Sequence, residues 1–389
     1  MKVGTYTKTD GAWTATINPC FVRFLGGYTG VSFNRSQTEY SVLDGESARG
    51  LVNLTVNNNT SGSSKSTLFD QIEFTRGKGA YKISNNGTVN YWSQFNHCRF
   101  IDNVVTTSDT TIKGSAIEVA KGMSWLCVEN CEFRGNKACS DNATTIYAAD
   151  KVSDYHAGLN LTHSLFVGNS AKTRPCVAQF GGSVNNNVTV KSCTFAYNAV
   201  ATDADSAAAH GGLVLDEDDY NQQFDWNVSD TIFYGNRCNG KTGTDYRVEK
   251  GSNVKGHPKP QYLLFEKATA YVEEETTSAY ADVDPNARHY IFGDPLFVTP
   301  LPAAVEFDAN YNPTWYADSA KTVTVSPADM DVHLQSTKGR WNGSDWVIDA
   351  NYSPAIDAGC PDYYKMSGEE KEKVAADKKA KGILKYLPS

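Results

Sequence analysis

A chain of 389 residues has room for one to three ordinary domains, and 40% hydrophobic residues at a mean hydropathy of -0.45 let it bury a core in water. Charged residues make up only 21%, while Gly, Asn, Ser and Thr are plentiful, which is the composition of a turn-rich β protein. A formal net charge of -8 without any basic stripe argues against a nucleic-acid partner, and it repels anionic polymers at long range unless a local patch or a bound cation intervenes.

Residues 1–25 lack the apolar core of a signal peptide, because Lys2, Asp10 and Arg23 interrupt them. Taken literally, that places the chain in the cytoplasm. No segment approaches the roughly 18 consecutive apolar residues of a membrane helix. Residues 1–50 are read as a lead-in and residues 51–300 as a repeat array.

The array rests on one frame. It recurs as Cys98-Arg-Phe100-Ile-Asp-Asn103, Cys131-Glu-Phe133-Arg-Gly-Asn136, Ser164-Leu-Phe166-Val-Gly-Asn169, Cys193-Thr-Phe195-Ala-Tyr-Asn198 and Thr231-Ile-Phe233-Tyr-Gly-Asn236. Phe224/Asn227 and Phe307/Asn310 share the spacing, but only the five have Cys, Ser or Thr two residues before the Phe. Ile72-Glu-Phe74 reads as a degenerate earlier copy. Steps of this size mark solenoids, propellers or arrays. Between copies lie short runs such as Ala116-Ile-Glu-Val119, Trp125-Leu-Cys-Val128, Leu159-Asn-Leu-Thr162 and Val188-Thr-Val190. They alternate with period two and never with 3.6, so the repeats are strands and not helices. Three short strands per unit suit one coil of a right-handed parallel β-helix, an all-β fold.

Residues two apart on a strand share a face. The small residue and the Phe therefore point inward, while Glu73, Arg99, Glu132, Leu165, Thr194 and Ile232 form an outward row. The Asn should stack at a turn where left-handed backbone is tolerated. The nine cysteines are an odd number and show no C-x-x-C spacing, and those of the frame read as buried small hydrophobes. His163 falls at a turn of the array, where it caps or packs.

The strand after the Asn turn offers Glu118, Tyr147, Asp150, Gln179 and Asp216 at comparable positions. The insertion 199–210 adds Asp203, Asp205 and His210 and runs into Asp216-Glu217-Asp218-Asp219. Such a cluster supplies oxygen ligands for Ca2+, or the paired carboxylates of a glycosidase, or simply a solvated acidic loop. Asp216, Asp150 and Asp203 are the candidate catalytic groups. Glu118, Tyr147, Gln179 and His210 are the candidate substrate contacts, and Asp216, Glu217, Asp218 and Asp219 the candidate Ca2+ ligands. A late insertion, 237–293, gathers Tyr262, Tyr271, Tyr280 and Tyr290 near His289, suited to sugar stacking or to covering the last coils. Residues 301–362 are read as a closing segment. In 363–389, Ser367-Gly-Glu-Glu370 opens a charged, helical tail.

The five frames, each followed by a strand such as Gly114-Ser-Ala-Ile117 or Gly211-Gly-Leu-Val214, resemble the repeats of chlamydial polymorphic membrane proteins and related secreted bacterial β-helices of pectate-lyase-like fold. The lead-in motifs Gly4-Thr-Tyr-Thr7, Leu25-Gly-Gly-Tyr-Thr-Gly30 and Val42-Leu-Asp-Gly45 extend the resemblance, and so do the closing motifs Asp294-Pro-Leu-Phe-Val298, Asp331-Val-His-Leu334, Gly339-Arg-Trp341 and Ser353-Pro-Ala-Ile-Asp-Ala-Gly359. In such proteins a secretion signal precedes the Gly-Thr-Tyr motif, where here only Met1-Lys-Val3 stand, so a fragment or a mis-started reading frame is expected. The resemblance implies a secreted or cell-surface location and supplies no catalytic motif. It leaves two functions open: a protein that binds or cleaves a polysaccharide or cell-surface glycan along a groove, and a non-catalytic adhesin or passenger module.

Overall fold

The computed structural model describes residues 1–356 except for 149–157, 175–178, 181–187, 203–210, 217–225, 250–261, 274–288 and several shorter stretches; 357–389 also lie outside the described residues. The regular secondary structure of the described residues is almost wholly β-strand, with one short 3-10 helix, Pro327–Asp329, as the exception. Large all-parallel sheets dominate.

Sheet 1 holds the Phe of each frame. Its ten strands include Ile72–Thr75, Arg99–Ile101, Glu132–Arg134, Leu165–Val167, Thr194–Ala196 and Ile232–Tyr234. Sheet 2 runs through Trp13–Ile17, Val52–Val56, Tyr81–Asn85, Gly114–Lys121, Thr144–Ala148 and Gln179–Phe180. Sheet 3 runs through Val22–Leu25, Lys65–Asp70, Tyr91–Asn96, Ser124–Glu129, Gly158–Thr162, Val188–Lys191 and Trp226–Ser229. A narrow sheet 4 follows the Asn turns, from Val104–Val105 to Arg237–Cys238. Up to Gln179–Phe180 each turn of the chain adds one strand to sheets 1, 2 and 3, and from Val104–Val105 onward one to sheet 4 as well, before the chain returns to sheet 1; Leu213–Asp216 begins a separate three-stranded sheet. Parallel neighbours need a crossover of a dozen or more residues, and the path through the other sheets is that crossover.

Register is set by the frame. Phe100 pairs with Phe74 and Phe133, and Arg99 with Glu73 and Glu132, so the 72–74 copy is a true repeat. Ile72 there fills the small-residue slot, fully buried. Phe74, Phe100, Phe133, Phe166, Phe195 and Phe233 form one continuous stack with ring centroids 4.6–4.9 Å apart. A second stack from sheet 3, Phe24–Phe69–Phe95, meets it edge-on, as at Phe95–Phe100. Phe307, which shares only the spacing, lies outside the array on an antiparallel hairpin with Pro313–Tyr316.

Two polar ladders flank the stack. Each Asn amide donates to a Phe carbonyl of the preceding repeat, and those of Asn103, Asn136, Asn169 and Asn198 also donate to the next Asn oxygen. For Asn136 these distances are 2.9 Å to Asn169 Oδ1 and 2.8 Å to Phe100 O. The left-handed residue is not the Asn, as expected from sequence, but the one before it: Asp102 (φ 53°), Gly135 (65°), Gly168 (62°), Tyr197 (56°) and Gly235 (67°). A second left-handed row, Gln71, His97, Asn130, His163, Ser192 and Asp230, precedes the Cys/Ser/Thr row. Those Cys, Ser and Thr are more than small hydrophobes. The backbone N–H of Cys98 donates to Cys131 Sγ (3.3 Å), that of Cys131 to Ser164 Oγ (3.1 Å), and that of Cys193 to Thr231 Oγ1 (3.4 Å). Cys98, Cys131 and Cys193 remain free thiols.

Two parts of the sequence reading change. The segment 237–293 is not only an insertion, because Leu264–Phe265 and Ile291–Phe292 extend sheet 1 and Phe265 and Phe292 prolong the Phe stack. Tyr290 packs edge-on against Phe265 rather than standing out for a sugar. The apolar end of the outward row is also not a free face. The chain folds back after residue 293, and Phe297, Trp315, Val325, Met330 and Val332 cover Leu165, Val167, Ala196, Tyr197, Ile232 and Tyr234.

Candidate functional site

Positions on sheet 2 fall in unbroken register: Asn53 beside Lys82, Lys82 beside Glu118, Glu118 beside Tyr147, and Tyr147 beside Gln179. The sequence-derived contacts Glu118, Tyr147 and Gln179 are therefore neighbours on three successive strands. Two of them are occupied. Glu118 is 2% exposed; one oxygen takes the Lys82 ammonium at 2.7 Å and the other the Lys113 backbone N–H at 2.9 Å. Tyr147 is 5% exposed, with the Lys113 ammonium 3.0 Å from its hydroxyl and 4.8 Å from its ring centre. Both side chains anchor the loop that ends at Lys113, and so they act on any ligand through Lys82 and Lys113.

Beside this row, toward the first repeats, a cavity of about 350 Å3 opens. Its lining includes Arg49, Asn53, Lys78, Lys82, Tyr81 and Glu118. Small and apolar residues, among them Ala12, Gly50, Leu51 and Ile112, also line it. Arg49 pairs with Glu46 and donates to Lys8 O, but its Nε–H is buried and has no hydrogen-bond partner among the described residues. Lys78 is half-buried, and among the described residues its ammonium meets no acceptor. Sequence reasoning missed Arg49 and Lys78 because both sit in short turns rather than in the repeated frame. Lys82 was within reach of it, since it occupies the Glu118 position one strand earlier.

The open end of sheet 1 carries a second charged cluster. Arg99 bridges Glu73 at 3.2 Å and Glu132 at 2.9 Å, and Arg134 binds Glu132 at 2.6 Å. The guanidinium of Arg99 also lies 5.2 Å from the Tyr40 ring centre. Burial pushes the Glu73 carboxyl up against the pull of Arg99. Burial acts the same way on Glu132, but Arg134 and Arg99 outweigh it and hold that carboxyl down. Two carboxyls pushed apart are the raw material of acid–base chemistry. Here one guanidinium lies between them, and alternating charges sit opposite each other across the strands, which stabilises neighbouring strands in a sheet. The cluster is a charge-balanced ladder.

Asp216 ends the strand Leu213–Asp216, which pairs with Tyr246–Glu249, and nothing is described of its side chain or that of Gln179. Asp150, Asp203, His210, Glu217, Asp218 and Asp219, and with them the expected Ca2+ ligands, lie outside the described residues. No helix among the described residues is long and apolar enough to cross a membrane. No protein-family model, curated protein or solved structure matches the chain.

Proposed function

We propose that the chain is a right-handed parallel β-helix of a secreted or surface-attached protein, and that it binds an extended glycan on the outer face of sheet 2. Crossovers between parallel strands of one sheet are right-handed in nearly all proteins, which supports the hand. The observation that carries the binding reading is the in-register row Asn53, Lys82, Glu118, Tyr147 and Gln179 leading out of the cavity at Arg49. A face that repeats about every 4.8 Å suits a polymer better than a compact metabolite. Amide and ammonium groups such as those of Asn53 and Lys82 hydrogen-bond hydroxyls of the kind that sugars carry.

The test is retention of the purified protein on a glycan array, followed by Lys82→Ala with Asn53→Ala. Retention that falls with the double substitution supports the site. Intact attachment to cells without retention on any glycan hands the case to the adhesin reading. The pairs proposed for cleavage are Asp150 with Asp216 and Asp203 with Asp216, because glycoside hydrolysis needs two carboxylates roughly 5–10 Å apart. Unchanged turnover after replacing Asp150 and Asp216 together rejects the first pair.

A further inference from the structure

We propose that Lys82 and Asn53 join in an intramolecular amide bond, made by the chain itself with Glu118 as the proton carrier, that ties two successive turns of the array together. The proposal goes beyond glycan binding and does not depend on it. Three groups that such a bond needs meet here: an amine, a carboxamide and a carboxylate. Lys82 is the middle one. Its register partners are Asn53 on the strand Val52–Val56 and Glu118 on the strand Gly114–Lys121, so each neighbour stands about 4.8 Å away across the sheet. All three line the same cavity, whose wall also holds the apolar Leu51 and Ile112. The contacts divide the roles. Lys82 Nζ lies 2.7 Å from Glu118 Oε1, inside the roughly 2.6–3.2 Å reach of a general base. Glu118 Oε2 accepts the Lys113 backbone N–H at 2.9 Å, which fixes the carboxylate with its other oxygen on the amine. Glu118 is 2% exposed and Asn53 is half-buried, which limits the water that would compete with the amine for the carboxamide. The flexible Lys stem lets Nζ swing from Glu118 toward Asn53 Cγ with the backbone held in place.

Glu118 first takes one proton from the Lys82 ammonium. The freed lone pair attacks Asn53 Cγ, so the Nζ–Cγ bond forms and the carbonyl π pair moves onto Oδ1. That pair then returns and the Cγ–Nδ2 bond breaks. Nδ2 departs as an ammonium ion, having gained one proton from Nζ and the one held by Glu118. Nothing is oxidised or reduced, and Glu118 ends as the carboxylate it was, now accepting from the N–H of the new amide. Two neighbouring strands supply the proximity that an amine and an amide lack in free solution. The bond closes the loop from Asn53 to Lys82 and fastens Val52–Val56 to Tyr81–Asn85, one strand in from the sheet edge at Trp13–Ile17.

The experiment is the intact mass of the full chain, folded, purified and then measured denatured, followed by digestion with trypsin. Expected is a mass lower than the sequence requires by one ammonia, and a branched peptide that joins residues 50–65 to residues 79–99 with no cleavage after Lys82. Lys82→Arg keeps a cation beside Glu118 but removes the amine nucleophile, and it should restore the full mass. Glu118→Gln keeps the side chain's shape without the base, and it should leave most of the chain at full mass. A parent of full mass that yields only linear peptides overturns the proposal. Ammonia lost from a linear peptide overturns it as well, because an asparagine that closes a ring on its own backbone loses ammonia without joining two peptides. A complete crosslink in Glu118→Gln overturns the role given to Glu118. The mass is read without any glycan, so a negative result here leaves the glycan reading standing, and failure to bind a glycan leaves this bond standing.

Discussion

Asp245 ends the asparagine ladder. Its Oδ1 accepts from Asn236 Nδ2 at 2.7 Å and from Asn236 N at 3.1 Å, in the place where each earlier Asn finds the next Asn. The carboxyl is fully buried, and its second oxygen has no partner among the described residues. Burial raises its pKa to about 7 from the ordinary 3.8, against the pull of the Asn236 hydrogen bonds; Glu266 adds to the rise and Arg237 opposes it. The sign follows from proton counts. Between pH 4 and 7 the folded chain holds a proton that the unfolded chain has lost, so stability falls as pH rises through that window and stays low above it. Asp245→Asn restores a neutral amide at the ladder's end. It should raise the urea midpoint at pH 8, by roughly 2–4 kcal/mol in stability, and leave pH 4 nearly unchanged. An equal effect at both pH values would show that the carboxyl does not titrate in this window. Sequence pointed to the five asparagines through their shared frame. Asp245 follows Asn236 by only nine residues, past the antiparallel pairing of Arg237–Cys238 with Lys241–Thr242, so no spacing rule reached it.

At the scale of single strands, the frame predicts what each slot tolerates. Asn169 Oδ1 accepts from Asn136 N and Nδ2, while its own Nδ2 serves Phe133 O and Asn198 Oδ1. Asn169→Leu strands several buried groups at once and should cost at least ~3 kcal/mol in denaturant unfolding. The Cys slot discriminates by hydrogen bonding rather than by size. Cys131 Sγ accepts from Cys98 N and donates to Glu129 O at 3.2 Å. Cys131→Ser should be nearly neutral, as Ser164 already fills the same slot, whereas Cys131→Val leaves the buried Cys98 backbone N–H unpaired, while Glu129 O keeps the His97 N–H, and should cost ~1–3 kcal/mol. Equal losses for Ser and Val would mean that the slot reads shape alone. On the outer face of sheet 3, Trp92 and Trp125 stack at 4.7 Å, and the Trp125 ring lies where a side chain at Gly158 would stand. Strand positions, facing and register were legible because alternation and the Phe-Asn spacing are local. The hydrogen-bond role of the small row was not, since Cys alone suggests a hydrophobe.

Across the whole molecule, the outward row of sheet 1 changes from charged to apolar because the chain's own C-terminal part lies over its second half. Arg134 marks the border: its guanidinium donates to Pro327 O at 2.6 Å and Met330 O at 2.8 Å while holding Glu132 on the open side. The drift from Glu73, Arg99 and Glu132 to Leu165 and Ile232 was visible in sequence, but the cover is nearly 200 residues away from Arg134 and has no repeat of its own, so no local pattern linked the two. The same distance problem hid the cavity, where Arg49 and Lys78 belong to turns of different repeats. Trp315 and Met330, at 3% and 2% exposure, pin the cover to the sheet. Replacing both with Ala should loosen it by several kcal/mol, as deletions of large buried side chains do, without touching the Phe stack or either ladder. The expected outcome is a protein with intact β signal in far-ultraviolet circular dichroism, increased binding of a hydrophobic dye and a concentration-dependent tendency to associate, because an uncovered apolar sheet face is an interaction surface. Hydrogen exchange should locate the new opening at residues 294–334 and at the strands Leu165–Val167, Thr194–Ala196 and Ile232–Tyr234, while amides of the Ile72–Thr75 and Arg99–Ile101 strands keep their protection. Loss of protection through the whole array instead would mean that the cover is part of one cooperative unit with the repeats, and that the two halves of sheet 1 cannot be uncoupled.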